Sequence, residues 1–282
     1  MGEGKVKANG IEIWYEDFGN RADPAVLMIM GAGAQAILWP LELIEPIVKE
    51  SYHVIRFDNR DVGLSTWITD YDSNPYTLED MADDSIGLMD ALKIKQAHFI
   101  GASMGGMIAQ LAAIKYPLRV LSLTSWMSTY AVNDPDIPAM TEEVQTLVAK
   151  MSTSPPQTRE EIIEFNVTLF KTLAGSRFPH DEKAIRAVSE AGFERGHNPK
   201  NSHGLAVMKS GSRLDALRNL DVPTLVIHGD EDPIISYIHG IVCARVIQGA
   251  KLHIQKGVGH EMPLGILAET IPVILKHLGG VH

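Results

Sequence analysis

The chain has 282 residues, of which 45% are hydrophobic and 21% charged, enough for one large α/β domain or two ordinary ones and too apolar for wholesale disorder. Its net charge of -10 comes without any dense Lys/Arg block, which argues against nucleic acid and anionic membranes as partners. The single cysteine, Cys243, excludes an intrachain disulfide and fits a reducing compartment.

In chain order, the first segment, KVKANGIEIWYEDFG (residues 5–19), reads as a β-hairpin, with Asn9-Gly10 supplying the tight turn. The same N-terminal stretch has no apolar h-region of signal-peptide type, and no apolar run reaches membrane-spanning length. A cytoplasmic protein is therefore expected. Short aliphatic and β-branched runs follow at 26–30, 53–57, 97–101, 120–125, 224–228 and 251–255. They lack strict alternation, the mark of strands buried on both faces. Helical patterns lie between or after them at 41–49, 78–92, 104–116, 235–246 and 264–278, so the alternation predicts a mostly parallel sheet with crossover helices.

One region breaks that alternation. From Tyr130 to Asn219 the sequence offers helical patterns and loops but no convincing strand. TREEIIEFNVTLFKTLA opens with Thr158 and Glu161 at capping-box spacing. HDEKAIRAVSEAGFERG and NSHGLAVMK read as further helices. The expected organisation is a core over 1–129 and 220–282, with a helical lid over 130–219 inserted between the sixth and seventh strands.

The chemistry begins at GASMG. Gly101-Ala102-Ser103-Met104-Gly105 fits G-x-S-x-G between a predicted strand and a predicted helix, the context in which the motif denotes a nucleophile elbow. A glycine-rich turn with an incidental serine is the competing reading of the pentapeptide alone. A serine hydroxyl is a weak nucleophile and needs a base and an orienting acid, in the order serine, acid, histidine for this kind of fold. PTLVIHGDEDPI is an apolar strand ending in Asp230, Glu231 and Asp232, and GVGHEMP places His260 after the last strand. Both would emerge at the same edge of the sheet. His228 and His253 lie inside apolar strands and read as core or edge residues; His197 and His203 fall in the lid, and no histidine spacing suggests zinc.

With DFGNRADPAVLMIMG, HVIRFDNRDVGLST and DVPTLVIHGDEDPI added to these motifs, the chain resembles the α/β-hydrolase superfamily over essentially its whole length. Within it, the chain is similar to lidded bacterial esterases of the anthracycline (aclacinomycin-type) methylesterase group. The resemblance implies an eight-stranded, mostly parallel sheet flanked by helices, with Ser103 as nucleophile, Asp232 as acid and His260 as base. Asp230 and Glu231 would then face solvent. Where many relatives carry His-Gly after the third strand, this chain has MIMGAGAQ. The resemblance makes the backbone N–H groups of Ala32 and Met104 the oxyanion hole. Around the motif ends, Met30, Gly31, Trp126, Met127 and Met262 are candidate pocket residues, with core filler as the usual role of such methionines. FDNRDVGLST, with Asp61 where glycine is usual, reads as structural support for the site.

The implied reaction is hydrolysis of a small-molecule carboxylic ester, on small to medium apolar or methyl esters, through an acyl-enzyme without cofactor or metal. C–C bond hydrolysis, lactone hydrolysis and perhydrolase or haloperoxidase-like activity use the same triad and stand as alternatives. A non-catalytic ligand-binding relative is a more distant one, since such proteins usually lack triad members. Monomer and homodimer both stay open.

Overall fold

A computed structural model describes residues 2–132 and 134–280. Eight strands form one sheet in the order β1-β2-β4-β3-β5-β6-β7-β8. They are β1 (Gly2–Ala8), β2 (Ile11–Phe18), β3 (Ala25–Ile29), β4 (His53–Phe57), β5 (Ala97–Ala102), β6 (Val120–Trp126), β7 (Thr224–Gly229) and β8 (Lys251–Gln255). β1 and β2 form the expected hairpin, starting at Gly2 rather than Lys5, with Asn9 and Gly10 both at positive φ (47° and 82°), as a type I′ turn requires. β2 also pairs antiparallel with β4, and every pairing from β4 to β8 is parallel.

Period two explains why the parallel strands read as unbroken apolar runs. On β3, Leu27 and Ile29 enter one core cluster while Val26 and Met28 enter the other, on the opposite face. The first cluster is closed by α2 (Leu78–Ala91), α3 (Met104–Lys115) and α9 (Ile238–Val246). The second is closed by α1 (Leu41–Lys49) and α10 (Leu264–Leu278). The result is a helix–sheet–helix sandwich. Helix α2 starts with a reciprocal capping box between Thr77 and Asp80.

Between β6 and β7 the chain forms α4 (Glu142–Thr153), α5 (Arg159–Leu173), α6 (Glu182–Gly196), α7 (His203–Lys209) and α8 (Leu214–Arg218), with no strand among the described residues. The capping box expected of Thr158 and Glu161 is present in α5. No described helix is long and apolar enough to cross a membrane.

Candidate active site

Parallel pairing of β5, β6, β7 and β8 puts the C-terminal ends of these strands on one edge. Ser103 directly follows β5, Asp232 lies just past β7, and His260 lies in the loop after β8. Backbone hydrogen bonds lace these loops together: Ser103 N–H to Trp126 O, Met127 N–H to Ile227 O, and Glu231 N–H to Val258 O.

Ser103 takes φ 54° and ψ -121° as the residue preceding α3, a conformation that costs a non-glycine residue about 1–3 kcal/mol. The flanking glycines make this bend possible. A Cβ at Gly105 would lie 2.0 Å from the Ile29 carbonyl oxygen, and one at Gly101 would lie 2.2 Å from the Gly105 carbonyl. The Ser103 carbonyl accepts a hydrogen bond from the Ser128 hydroxyl at 2.7 Å. Met104 opens α3, so its N–H is one of the orphan donors at a helix start, and the Ser103 side chain makes no capping bond to the helix. Gly31 faces this turn, because a Cβ there would sit 3.1 Å from the Ser103 Cβ. Ala32, beside it, is exposed.

The side chain of Asp232 is completely buried. Its Oδ1 accepts the N–H groups of Ile234 (3.0 Å) and Ile235 (2.8 Å). Its Oδ2 lies 2.7 Å from His260 Nδ1 and 3.2 Å from His228 Nε2. Burial alone would raise the Asp232 pKa, but the His260 charge and the hydrogen bonds from both histidines hold it far below the ordinary carboxyl range. The two Oδ1 bonds also explain why α9 starts at Ile238 rather than at the expected residue 235: the chain is first wrapped around the carboxylate.

His228 is therefore not an ordinary strand residue. It is fully buried, and its Nε2 is also 2.9 Å from the Ile235 carbonyl. That carbonyl can only accept, so the proton sits on Nε2 and is shared with Asp232. Nothing in a one-sequence reading separates such a histidine from a packed one. Glu231 is exposed, as expected, and Asp230 is partly buried; both carboxylates nevertheless hold partners. Asp230 accepts Gly257 N–H (2.7 Å) and Lys256 Nζ (2.9 Å), while Glu231 accepts the N–H and hydroxyl of Ser176.

Ser176 belongs to a short segment after α5 that crosses the acid and base loops. His260 N–H donates to the Leu173 carbonyl, and Arg177 N–H to the Gly257 carbonyl. Glu261 accepts Gly175 N–H at 2.7 Å; burial holds its pKa above the ordinary carboxyl range, against the opposing pull of that N–H.

The expected pocket residues divide. Trp126 is completely enclosed, with Trp39 beside it and its indole N–H on Gln255 Oε1. Met30 and Met127 are buried within the same cluster, and Met262 is partly buried against it. Met127 carries φ 43°.

The loop after β4 supports the loop after β3. Asp58 is fully buried and accepts the N–H groups of Ala36 (2.8 Å) and Leu64 (3.0 Å), while Asn59 Nδ2 donates to the Met30 carbonyl. Asp61, at φ 70°, accepts the Tyr76 hydroxyl at 2.7 Å and a bond from Asn198 of the insertion. The insertion reaches the same loops through Arg195, whose guanidinium is 3.1 Å from Asp58 and stacks 4.2 Å over the Trp14 ring. Gln35 Nε2 donates to the carbonyls of Gly192 and Gly196.

Comparison with known proteins agrees with this architecture. The chain is 28% identical over 283 residues to rhodomycin D methylesterase DnrP of Streptomyces peucetius, covering 95% of each chain. It is 25% identical to the bifunctional esterase/perhydrolase DCH of Acinetobacter calcoaceticus, covering 93% of this chain and 94% of the relative. Among solved structures, the enol-lactonase of Burkholderia xenovorans LB400 superposes with a TM-score of 0.80 at 21% identity, covering 98% of this chain and 100% of that one. The family model described as the alpha/beta hydrolase fold matches residues 24–264. With that match spanning most of the chain, and with the eight-stranded sheet and helical flanks in place, the protein belongs to the alpha/beta hydrolase fold family.

Proposed function

We propose that Ser103, His260 and Asp232 carry the chemistry of this carboxylic ester hydrolase, with the N–H groups of Ala32 and Met104 as its oxyanion hole. One observation carries the reading above the rest. A fully buried carboxylate sits 2.7 Å from His260 Nδ1, at the same sheet edge as a serine held at positive φ.

Asp232 can only accept at that contact, so the neutral His260 ring carries its proton on Nδ1 and offers a lone pair at Nε2. In the proposed mechanism, Nε2 takes the Ser103 proton as Oγ attacks the ester carbonyl. Asp232 holds the tautomer and stabilises the imidazolium that forms. Negative charge developing on the carbonyl oxygen is met by Ala32 and Met104 N–H, each such donor being worth about 10²–10³ in kcat. Collapse of the tetrahedral intermediate transfers the Nε2 proton to the departing alcohol and leaves an acyl-serine. Water, deprotonated by Nε2, then attacks this ester; the acid departs and Ser103 recovers its proton.

The substrate in this reading is a small to medium apolar or methyl ester, with Met30, Gly31, Met127 and Met262 nearest the reacting carbonyl. Residues 130–219 form the lid that selects it, over a core of 1–129 and 220–282. Cytoplasmic action belongs to the same reading and is supported by a lone, buried Cys243. The test is Ser103→Ala assayed on p-nitrophenyl esters of graded acyl length, methyl esters and lactones. Loss of about 10⁴-fold or more in kcat on the preferred ester is expected, since triad members act as a unit. A loss below tenfold would place the chemistry elsewhere.

A further inference from the structure

His203, the first residue of α7, is fully buried and reaches out of the insertion to the loop after β3. Gly33 N–H donates to its Nδ1 at 2.9 Å, although 170 residues separate the two in the chain. Its Nε2 lies 2.6 Å from the Arg60 carbonyl. An N–H can only donate and a carbonyl can only accept, so these two contacts fix one neutral tautomer, with the proton on Nε2.

The loop it reaches has little else to hold its tip. Gly33 is exposed, and a Cβ built on it would meet nothing within 4 Å. Side-chain packing therefore does not set its position; hydrogen bonds do. Ala34 N–H returns to the Gly31 carbonyl at 3.3 Å, closing a turn over residues 31–34. In a trans peptide the N–H points opposite to the carbonyl. With the Gly31 carbonyl engaged inside the turn, the Ala32 N–H of the same peptide is aimed the other way. The bond from Gly33 N–H to His203 fixes the next peptide plane, so the Ala32 N–H sits between two anchored groups.

We propose that His203 is a positioning residue of the ester-hydrolysing site: it fixes the direction of the Ala32 N–H from within the helical insertion. This rests on the proposed function, in which Ser103 is the nucleophile and Ala32 an oxyanion donor. His203 touches neither substrate nor the reacting atoms in this account. It acts through the Gly31–Ala34 turn, and its loss weakens binding of the tetrahedral oxyanion more than binding of the ground-state ester.

Isosteres separate this role from simple packing. Asn places its carbonyl oxygen where the imidazole has Nδ1, so His203→Asn retains an acceptor for Gly33 N–H. Gln places its amide nitrogen near the Nε2 position, so His203→Gln serves the Arg60 carbonyl and leaves Gly33 unpaired. His203→Leu fills the space without either bond. The expected result, with p-nitrophenyl acetate or butyrate as substrate, is a fall of about 10- to 100-fold in kcat for the Gln and Leu variants, a sizeable part of one oxyanion donor. KM should change less than about threefold, and the Asn variant should keep kcat within about fivefold of the parent.

A Leu or Gln variant that matches the parent in kcat would overturn the proposal, as would a folded Asn variant that loses more than about tenfold. If Leu and Gln fail to fold, as judged by circular dichroism, the Asn variant alone decides. Failure of the underlying reading looks different: a fluorophosphonate would then not label Ser103 in the parent protein. Labelled parent protein together with an unimpaired Gln variant removes only the role of His203.

Discussion

Asp232→Asn is expected to leave a folded protein that turns over esters about 10⁴-fold more slowly, and the contacts of the carboxylate explain why. Its Oδ1 receives two backbone N–H groups, from Ile234 and Ile235, in a fully buried place. Turning the amide NH2 of the variant toward them would leave two buried donors unsatisfied, at about 1–3 kcal/mol each. The amide oxygen therefore stays at the Oδ1 position, and the NH2 faces His260 Nδ1, where Oδ2 accepted at 2.7 Å. His260 must then show a lone pair at Nδ1 and carry its proton on Nε2, the atom that has to accept the proton of Ser103. His228 loses its share in the carboxylate but keeps the Ile235 carbonyl at 2.9 Å, so the fold around the site survives. A triad histidine held in the wrong tautomer lowers kcat about 10⁴-fold, or ~5.4 kcal/mol in the barrier. The assay is steady-state hydrolysis of p-nitrophenyl acetate, with circular dichroism and a urea midpoint to establish folding. A folded variant losing less than about tenfold would refute the tautomer argument.

Three further outcomes follow from the geometry. Gly105→Ala is expected to destabilise the protein by about 3 kcal/mol or more, at the upper end of overpacking costs, because its Cβ would lie 2.0 Å from a β3 carbonyl that cannot rotate away; a urea midpoint near that of the parent would contradict this. Ser103→Gly and Ser103→Ala should both be inactive, with the glycine variant the more stable by about 1 kcal/mol. That figure is left when relief of the positive-φ strain (about 1–3 kcal/mol) is set against the extra unfolded-state freedom of glycine (about 0.5–1 kcal/mol), and equal stability in urea would show that φ 54° stores no strain. His203 gives a pH dependence of defined sign. Burial, with the Arg60 charge beside it, lowers its pKa to about 4, against the opposing Arg60 carbonyl bond and the Asp61 charge; the Tyr76 ring packs edge-on to it. The unfolded chain binds this proton near pH 6.5 and the folded chain only near 4, so stability is full above 6.5 and is lost as pH falls toward 4. The loss from this residue approaches about 3 kcal/mol. His203→Gln should flatten the fall in urea midpoint over that window, and an unchanged slope would contradict the assignment.

How much was legible beforehand differs between local and long-range features. The spans 41–49 and 264–278 agree with α1 and α10 at both ends, because a sharp apolar face and a preceding proline define each helix. The Asn9-Gly10 turn and the capping box of α5 were equally local and equally readable. The start of α9 was not, because its first residues answer to the Asp232 carboxylate rather than to helix periodicity. His228, His203, Gln35 and Arg195 gained partners that only the tertiary fold supplies. In the one-dimensional pattern His228 is simply a polar residue in an apolar strand, and the Gly33–His203 bond spans 170 residues. The enclosure of Trp126 is equally long-range, since its indole N–H finds Gln255, 129 residues away.

The central claim is that Ser103 is the nucleophile, activated by His260 and Asp232. Its most direct test is reaction of the native protein with a fluorophosphonate, followed by peptide mapping in a mass spectrometer. The account predicts one adduct per chain, on Ser103, absent after unfolding and formed far more slowly in Asp232→Asn. Labelling of another residue, no labelling, or equal rates in parent and Asp232→Asn would contradict it.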